Sequence, residues 1–173
     1  MSKARELANL RGTPTDSNIL LQSTAGDALT AGSGKCNIAM GINALGATTI
    51  GVCNIAIGVG AMYGVTTGQA DSNIAIGVCA MVGAAGTTGD ENIAIGRASA
   101  DALTTGNCNI VLGFDAFGVG TTGCFNVAIG TESLACATIA KTNIAIGRYA
   151  MCGVTTAQAD DNIAIGRSAM MGA

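Results

Sequence analysis

Seven cysteines, two acidic pairs and two glycine-rich stretches are the places where this 173-residue chain could do chemistry. Cys36, Cys53, Cys79, Cys108, Cys124, Cys136 and Cys152 could ligate a thiophilic metal or pair as disulfides. No two of them stand at the spacing of a zinc knuckle, and the chain has no histidine to complete a site. An odd count in a chain made in a reducing compartment points to free thiols that serve as small apolar filler. Asp90-Glu91 and Asp160-Asp161, with Asp71 at a third such corner, have the charge for calcium but lack the closely spaced Gly-Asp signature of calcium-binding repeats. Asp115 and Glu132 stand singly rather than as the carboxylate pair that glycoside cleavage needs. Gly118-Val-Gly-Thr-Thr-Gly123 spells the dinucleotide fingerprint, but no helix pattern follows it and no acid stands about twenty residues on. In Gly32-Ser-Gly-Lys35 the residue that should bind magnesium is Cys36. No catalytic, cofactor-binding or metal-binding residue is assigned, and the chain reads as not an enzyme.

The composition agrees. Apolar residues make up 49%, aromatics 3% and charged residues 11%, against about 25% charged in an ordinary globular domain. Eight basic and eleven acidic residues leave a net charge of −3, which speaks against nucleic-acid binding. Hydrophobicity is too high for a disordered chain. The charge-free stretch from Cys36 to Ala70 is interrupted too often by Asn, Thr and Gly to insert in a membrane. Met1 to Arg11 lacks the apolar run of a signal peptide, so a chain kept in the cytoplasm is expected.

A five-residue motif organises the rest. It reads Asn37-Ile-Ala-Met-Gly41 and Asn54-Ile-Ala-Ile-Gly58, and recurs from Asn73, Asn92, Asn109, Asn126, Asn143 and Asn162, with a degenerate copy at Asn18. Successive asparagines are 19, 17, 19, 19, 17, 17, 17 and 19 residues apart. The alternation within each copy is that of a short strand, ended by a glycine. Four residues past that glycine comes an apolar position: Leu45, Met62, Met81, Ala100, Phe117, Leu134, Met151, Met170. A Thr-Thr-Gly corner follows in most copies, and the two-residue insertions fall beside it.

Seventeen residues do not bury an apolar face alone, but stacked copies do. The expected fold is all-β: a parallel β-solenoid (a β-roll or β-helix) of about eight 17/19-residue coils, roughly 40 Å long at ~4.8 Å per layer. Residues 1–17 form an N-terminal arm and 18–173 the solenoid. Asn37, Asn54, Asn73, Asn92, Asn109, Asn126, Asn143 and Asn162 fall in register and are expected to bond to one another as a ladder. The two isoleucines of each motif are expected to face the core, and the alanines (Ala39, Ala56, Ala75 and their equivalents) to form an outward face flat enough to press against another copy. A homotrimer is the expected assembly.

Five charges lie in the first sixteen residues. Ser2 could cap a short helix carrying Ala4, Leu7 and Leu10, ending before Pro14. Lys3, Arg5, Leu7 and Leu10 are the candidate attachment residues of this arm.

The repeat Asn-(Ile/Val)-Ala-Ile-Gly resembles the head repeats of trimeric autotransporter adhesins, and similar repeats recur in bacteriophage fibres and appendages. The resemblance covers Asn37 to Ala173 and implies parallel β-rolls packed as a trimer whose surface binds a host; the adhesin repeat is usually shorter. The opening Met1-Ser-Lys-Ala-Arg-Glu-Leu-Ala-Asn-Leu10 resembles, over a short span, structural proteins of marine phages including cyanophages. The expectation is a virion structural protein, assembled in the host cytoplasm. It would be anchored to another virion protein of capsid or tail through residues 1–17, and would project the solenoid as a short fibre or decoration with host attachment as a role. The alternative is the head domain of a bacterial surface adhesin. Expected partners are other copies of the chain, a second virion protein and a host surface receptor; no cofactor, nucleic acid or membrane insertion is expected.

Overall fold

The computed structural model describes residues 10–11, 17–30, 33–64, 69–83, 88–153 and 160–172. Among them there is no helix and no span long and apolar enough to cross a membrane as one. Among the described residues ten strands form one sheet in chain order. β1 (Leu10–Arg11) runs antiparallel to β2 (Ile19–Leu21). The sheet then continues in parallel through β3 (Ile38–Met40), β4 (Ile55–Ile57), β5 (Ile74–Ile76), β6 (Ile93–Ile95), β7 (Ile110–Leu112), β8 (Val127–Ile129), β9 (Ile144–Ile146) and β10 (Ile163–Ile165). Every motif pairs with the same motif one layer on: Ile55 with Ile38 and Ile74, Ala56 with Ala39 and Ala75. The nine parallel strands are the expected β-solenoid, and the degenerate copy at Asn18 is its first layer.

Each parallel strand is three residues because the residues on either side bend the chain. Just before the asparagine stands a left-handed residue, such as Cys53 (φ 60°) or Phe125 (φ 60°). Just after β3 to β10 stands a glycine with φ between 125° and 145°, and after β2 stands Gln22 at φ 100°. Gly130 shows what favours glycine there: a Cβ would lie 2.7 Å from the carbonyl of Gly147 in the next layer. Between these bends the backbone still bonds from layer to layer. Ile55 N–H donates to the Asn73 carbonyl at 2.8 Å, Gly60 N–H to Ile42 at 2.9 Å and Met62 N–H to Ala80 at 3.0 Å. Irregular backbone is therefore satisfied by stacking, as buried amides require. The Thr-Thr corners are bends rather than strands where they are described, with Thr104 N–H on the Thr121 carbonyl and Thr121 N–H on Thr138.

The direction of the motif is the reverse of the expectation. Ala39, Ala56, Ala75, Ala94, Val111, Ala128 and Ala145 are fully buried, whereas the isoleucines on either side are partly or largely exposed. The bulk of the core comes instead from the position four past the glycine, where Leu45, Met62, Met81, Phe117, Leu134 and Met151 are buried. Neighbouring layers trade volume there. Ala100 is small, and Leu103 three residues later is buried in compensation; one layer on, Phe117 is large and Gly120 follows it. A side chain at Gly120 would run into the Phe117 ring. Ala, rather than Ile, faces this bulk because a 17-residue coil has room for one large side chain per layer at close packing.

Of the expected arm, Leu10–Arg11 forms the antiparallel first strand and so belongs to the sheet, not to a helix. Lys3, Arg5 and Leu7 lie outside the described residues.

Candidate functional site

Turning the alanines inward turns two columns of large aliphatic side chains outward. One runs Ile19, Ile38, Ile55, Ile74, Ile93, Ile110, Val127, Ile144, Ile163; the other runs Leu21, Met40, Ile57, Ile76, Ile95, Leu112, Ile129, Ile146, Ile165. Parallel pairing keeps both in register over nine layers, so they form one flat strip, roughly 38 Å long at ~4.8 Å per layer, with no polar side chain in it. Exposure is 40% at Ile110 and reaches 67% at Ile163. Solvent-facing strands ordinarily carry Thr, Lys or Glu, and an apolar patch of this extent marks an interaction surface.

The strip has two flanks. On the side before the asparagine stand Cys36, Cys53, Ser72, Glu91, Cys108, Phe125, Thr142 and Asp161. On the side after the glycine stand Ile42, Val59, Val78, Arg97, Phe114, Thr131, Arg148 and Arg167. Arg97 lies over the Phe114 ring at 4.3 Å, and Arg148 over Tyr149 at 4.6 Å while donating to its hydroxyl at 2.9 Å.

Behind the strip, the asparagines hold the layers together. Each backbone N–H donates to the Oδ1 of the asparagine one layer earlier, at 2.8 Å for Asn37 on Asn18 and for Asn54 on Asn37, and at 3.0 Å for Asn109 on Asn92 and Asn126 on Asn109. From Asn73 through Asn162 the amide Nδ2 donates to that same oxygen. Nδ2 also closes its own coil, reaching the carbonyl of Gly51 from Asn37, of Ala70 from Asn54 and of Gly123 from Asn109. The side chains from Asn18 to Asn143 are buried, so the ladder is internal and serves as a clasp as well. Among the described residues no buried side-chain nitrogen or oxygen lacks a partner.

A second ladder escaped the sequence reading. Two residues before Asn73, Asn92, Asn109 and Asn162, a side chain accepts the backbone N–H of the layer before: Val52 N–H on Asp71 at 2.8 Å, Asp71 on Asp90 at 2.7 Å, Asp90 on Asn107 at 2.8 Å, and Lys141 on Asp160 at 2.9 Å. The signal was the run of Asp and Asn at that position. Of the carboxylates weighed as metal ligands, Asp71, Asp90 and Asp160 are thus backbone acceptors, while Glu91 and Asp161 accept from the side chains of Cys108 and Thr142; among the described residues no three His, Cys, Asp or Glu side chains gather as a metal site.

The cysteines are not core filler. Cys36, Cys53 and Cys79 are exposed and the other four half-buried, all as free thiols. Cys136 and Cys152 touch, Sγ to Sγ, at 3.5 Å. Burial first, then the bond with Cys136, pushes the Cys152 thiol up to about 11. The Cys108 thiol is raised chiefly by its bond to Glu91. Asp101 is raised by burial and by Asp115 in the next layer.

Comparison with family models, curated proteins and solved structures gave no match. The functional reading therefore rests on the geometry of this chain.

Proposed function

We propose that the chain is a virion structural protein: a short fibre or decoration in which three copies pack around an axis through their aliphatic strips. Residues 1–17 would join it to a capsid or tail protein, and the remaining faces of the rod would be free to meet a host surface. The aliphatic strip carries the reading. A rod that leaves such a surface wet along its whole length would aggregate, and another copy is a partner whose columns share the same layer spacing from end to end. Apolar residues continue onto the flanks at Ile42, Val59, Val78, Phe114 and Phe125. A face-to-face pair leaves those flanks wet, whereas three copies bring each flank against a neighbour. The role is mechanical and calls for no catalytic residue or cofactor.

The test is to look for the protein on particles. Purified virions from the source are examined by mass spectrometry and by gold-labelled antibody against the solenoid. The reading expects label at discrete surface positions, in multiples of three chains. A protein found in the lysate and missing from purified particles overturns it, and its recovery on a bacterial surface would instead favour the adhesin-head alternative.

A further inference from the structure

Charge on the two flanks of the strip is not scattered independently. On the flank before the asparagine the only acids are Glu91 and Asp161. On the opposite flank the arginines are Arg97, Arg148 and Arg167. Glu91 and Arg97 belong to one layer, and Asp161 and Arg167 to another, so every acid of one flank has an arginine on the other flank at the same height. All four side chains are exposed. Six residues separate the members of each set, up to ~20 Å of extended chain, with the strip between them. Inside the chain their partners are uncharged: Glu91 accepts from Cys108 Sγ at 3.3 Å, Asp161 from Thr142 at 2.6 Å, and Arg97 stacks on Phe114. Arg148, whose layer has Thr142 on the other flank, is held by Tyr149 instead.

We infer that the copies associate in parallel and in register, with the acidic flank of each against the arginine flank of the next. Glu91 then meets the neighbour's Arg97, and Asp161 the neighbour's Arg167. The inference rests on the proposal that the strip joins copies of this chain, and adds direction and register to it. Rotation about an axis parallel to the rod brings unlike flanks together at equal heights, as a closed ring of head-to-tail contacts requires. An antiparallel arrangement centred on the sheet would put Asp161 and Arg167 beside the layer of β2, which has Ser17 and Ser23 at those positions. Such pairs add little affinity one by one but select register, because like charges set face to face are penalised.

The experiment is light scattering over a dilution series at low and high salt. Glu91→Arg and Arg97→Glu are each expected to raise the concentration at which the assembly half-dissociates about tenfold at low salt. The double variant Glu91→Arg/Arg97→Glu is expected to return it to the starting value. A second test reads the register covalently. Val59→Cys puts a thiol on one flank in the layer where Cys53 holds the other. Oxidation with glutathione disulfide, which accepts the two electrons and leaves as two thiols, should link chains into trimers on a non-reducing gel, and Cys53→Ser should abolish the link. An unaltered protein that is monomeric at all concentrations removes the underlying proposal of self-association. A stable trimer with no rescue by the double variant and no Cys53-dependent link overturns the register while leaving that proposal standing.

Discussion

The two faces of one three-residue strand make the sharpest contrast in this molecule. In β6, Ala94 points inward and is sealed from solvent, while Ile93 and Ile95 on either side point outward and are partly exposed. Judged by hydrophobicity alone, the larger residues should be inside. The coil is too narrow for that: the opposite wall already supplies Met81, Leu103 and Phe117, and a second large side chain per layer would overfill it. Small residues therefore set the coil's width, and the large ones are left for a partner. A residue's apolarity says that it will be covered, not by which chain.

Substitutions on either side of this divide should behave oppositely. The largest effect is expected inside. Ala94→Asp places an unpaired charge in the core and should cost more than about 3 kcal/mol, read as loss of a cooperative thermal transition. Phe117→Ala should cost about 3–5 kcal/mol by denaturant unfolding, because Gly120 and Gly123 beside the ring have no side chain to fill the space. Asn109→Ala removes the acceptor of the Asn126 N–H and the donor to the Gly123 carbonyl, and should cost about 2–3 kcal/mol for buried groups left unpaired. On the outer face, Ile93→Asp should change chain stability by no more than about 1 kcal/mol, yet lower the solution mass. An Ile93→Asp chain that fails to fold would mean the side chain is needed inside after all. The smallest effect concerns the Cys136–Cys152 contact. With its folded value near 11, above the ordinary thiol range, Cys152 should alkylate slowly at pH 8 and faster as the pH rises towards 11. The sign for stability follows: the neutral thiol's contribution is complete below pH 9 and is lost as pH rises towards 11. Alkylation of Cys152 at pH 8 as rapid as that of exposed Cys79 would contradict this.

The period, the parallel stacking and the asparagine ladder could be read from the chain, since 17- and 19-residue spacing of a recurring five-residue motif permits few other arrangements. The direction of the motif could be inferred too, though hydrophobicity pointed the other way. Side chains two apart in a strand share a face, so an internal ladder at Asn92 commits Ala94 to the inside and Ile93 and Ile95 to the outside. An internal ladder and inward isoleucines are incompatible expectations, and parity settles the choice in favour of the ladder. The Asp71–Asp90–Asn107 ladder was harder to see, because an acid at a corner reads equally well as solvation. Its hydrogen bonds depend on the left-handed bends at Ser72, Glu91 and Cys108, which no residue type announces. The compensation between Ala100–Leu103 and Phe117–Gly120 could be recognised only once both positions were known to line one core.

The central claim is that the outward aliphatic strip is an interface between copies of this chain, and the solution mass of the purified protein tests it most directly. Light scattering should give a mass of about three chains for the unaltered protein, and of one folded chain for Ile93→Asp. A stable, soluble monomer from the unaltered protein, with the strip open to solvent, would contradict it.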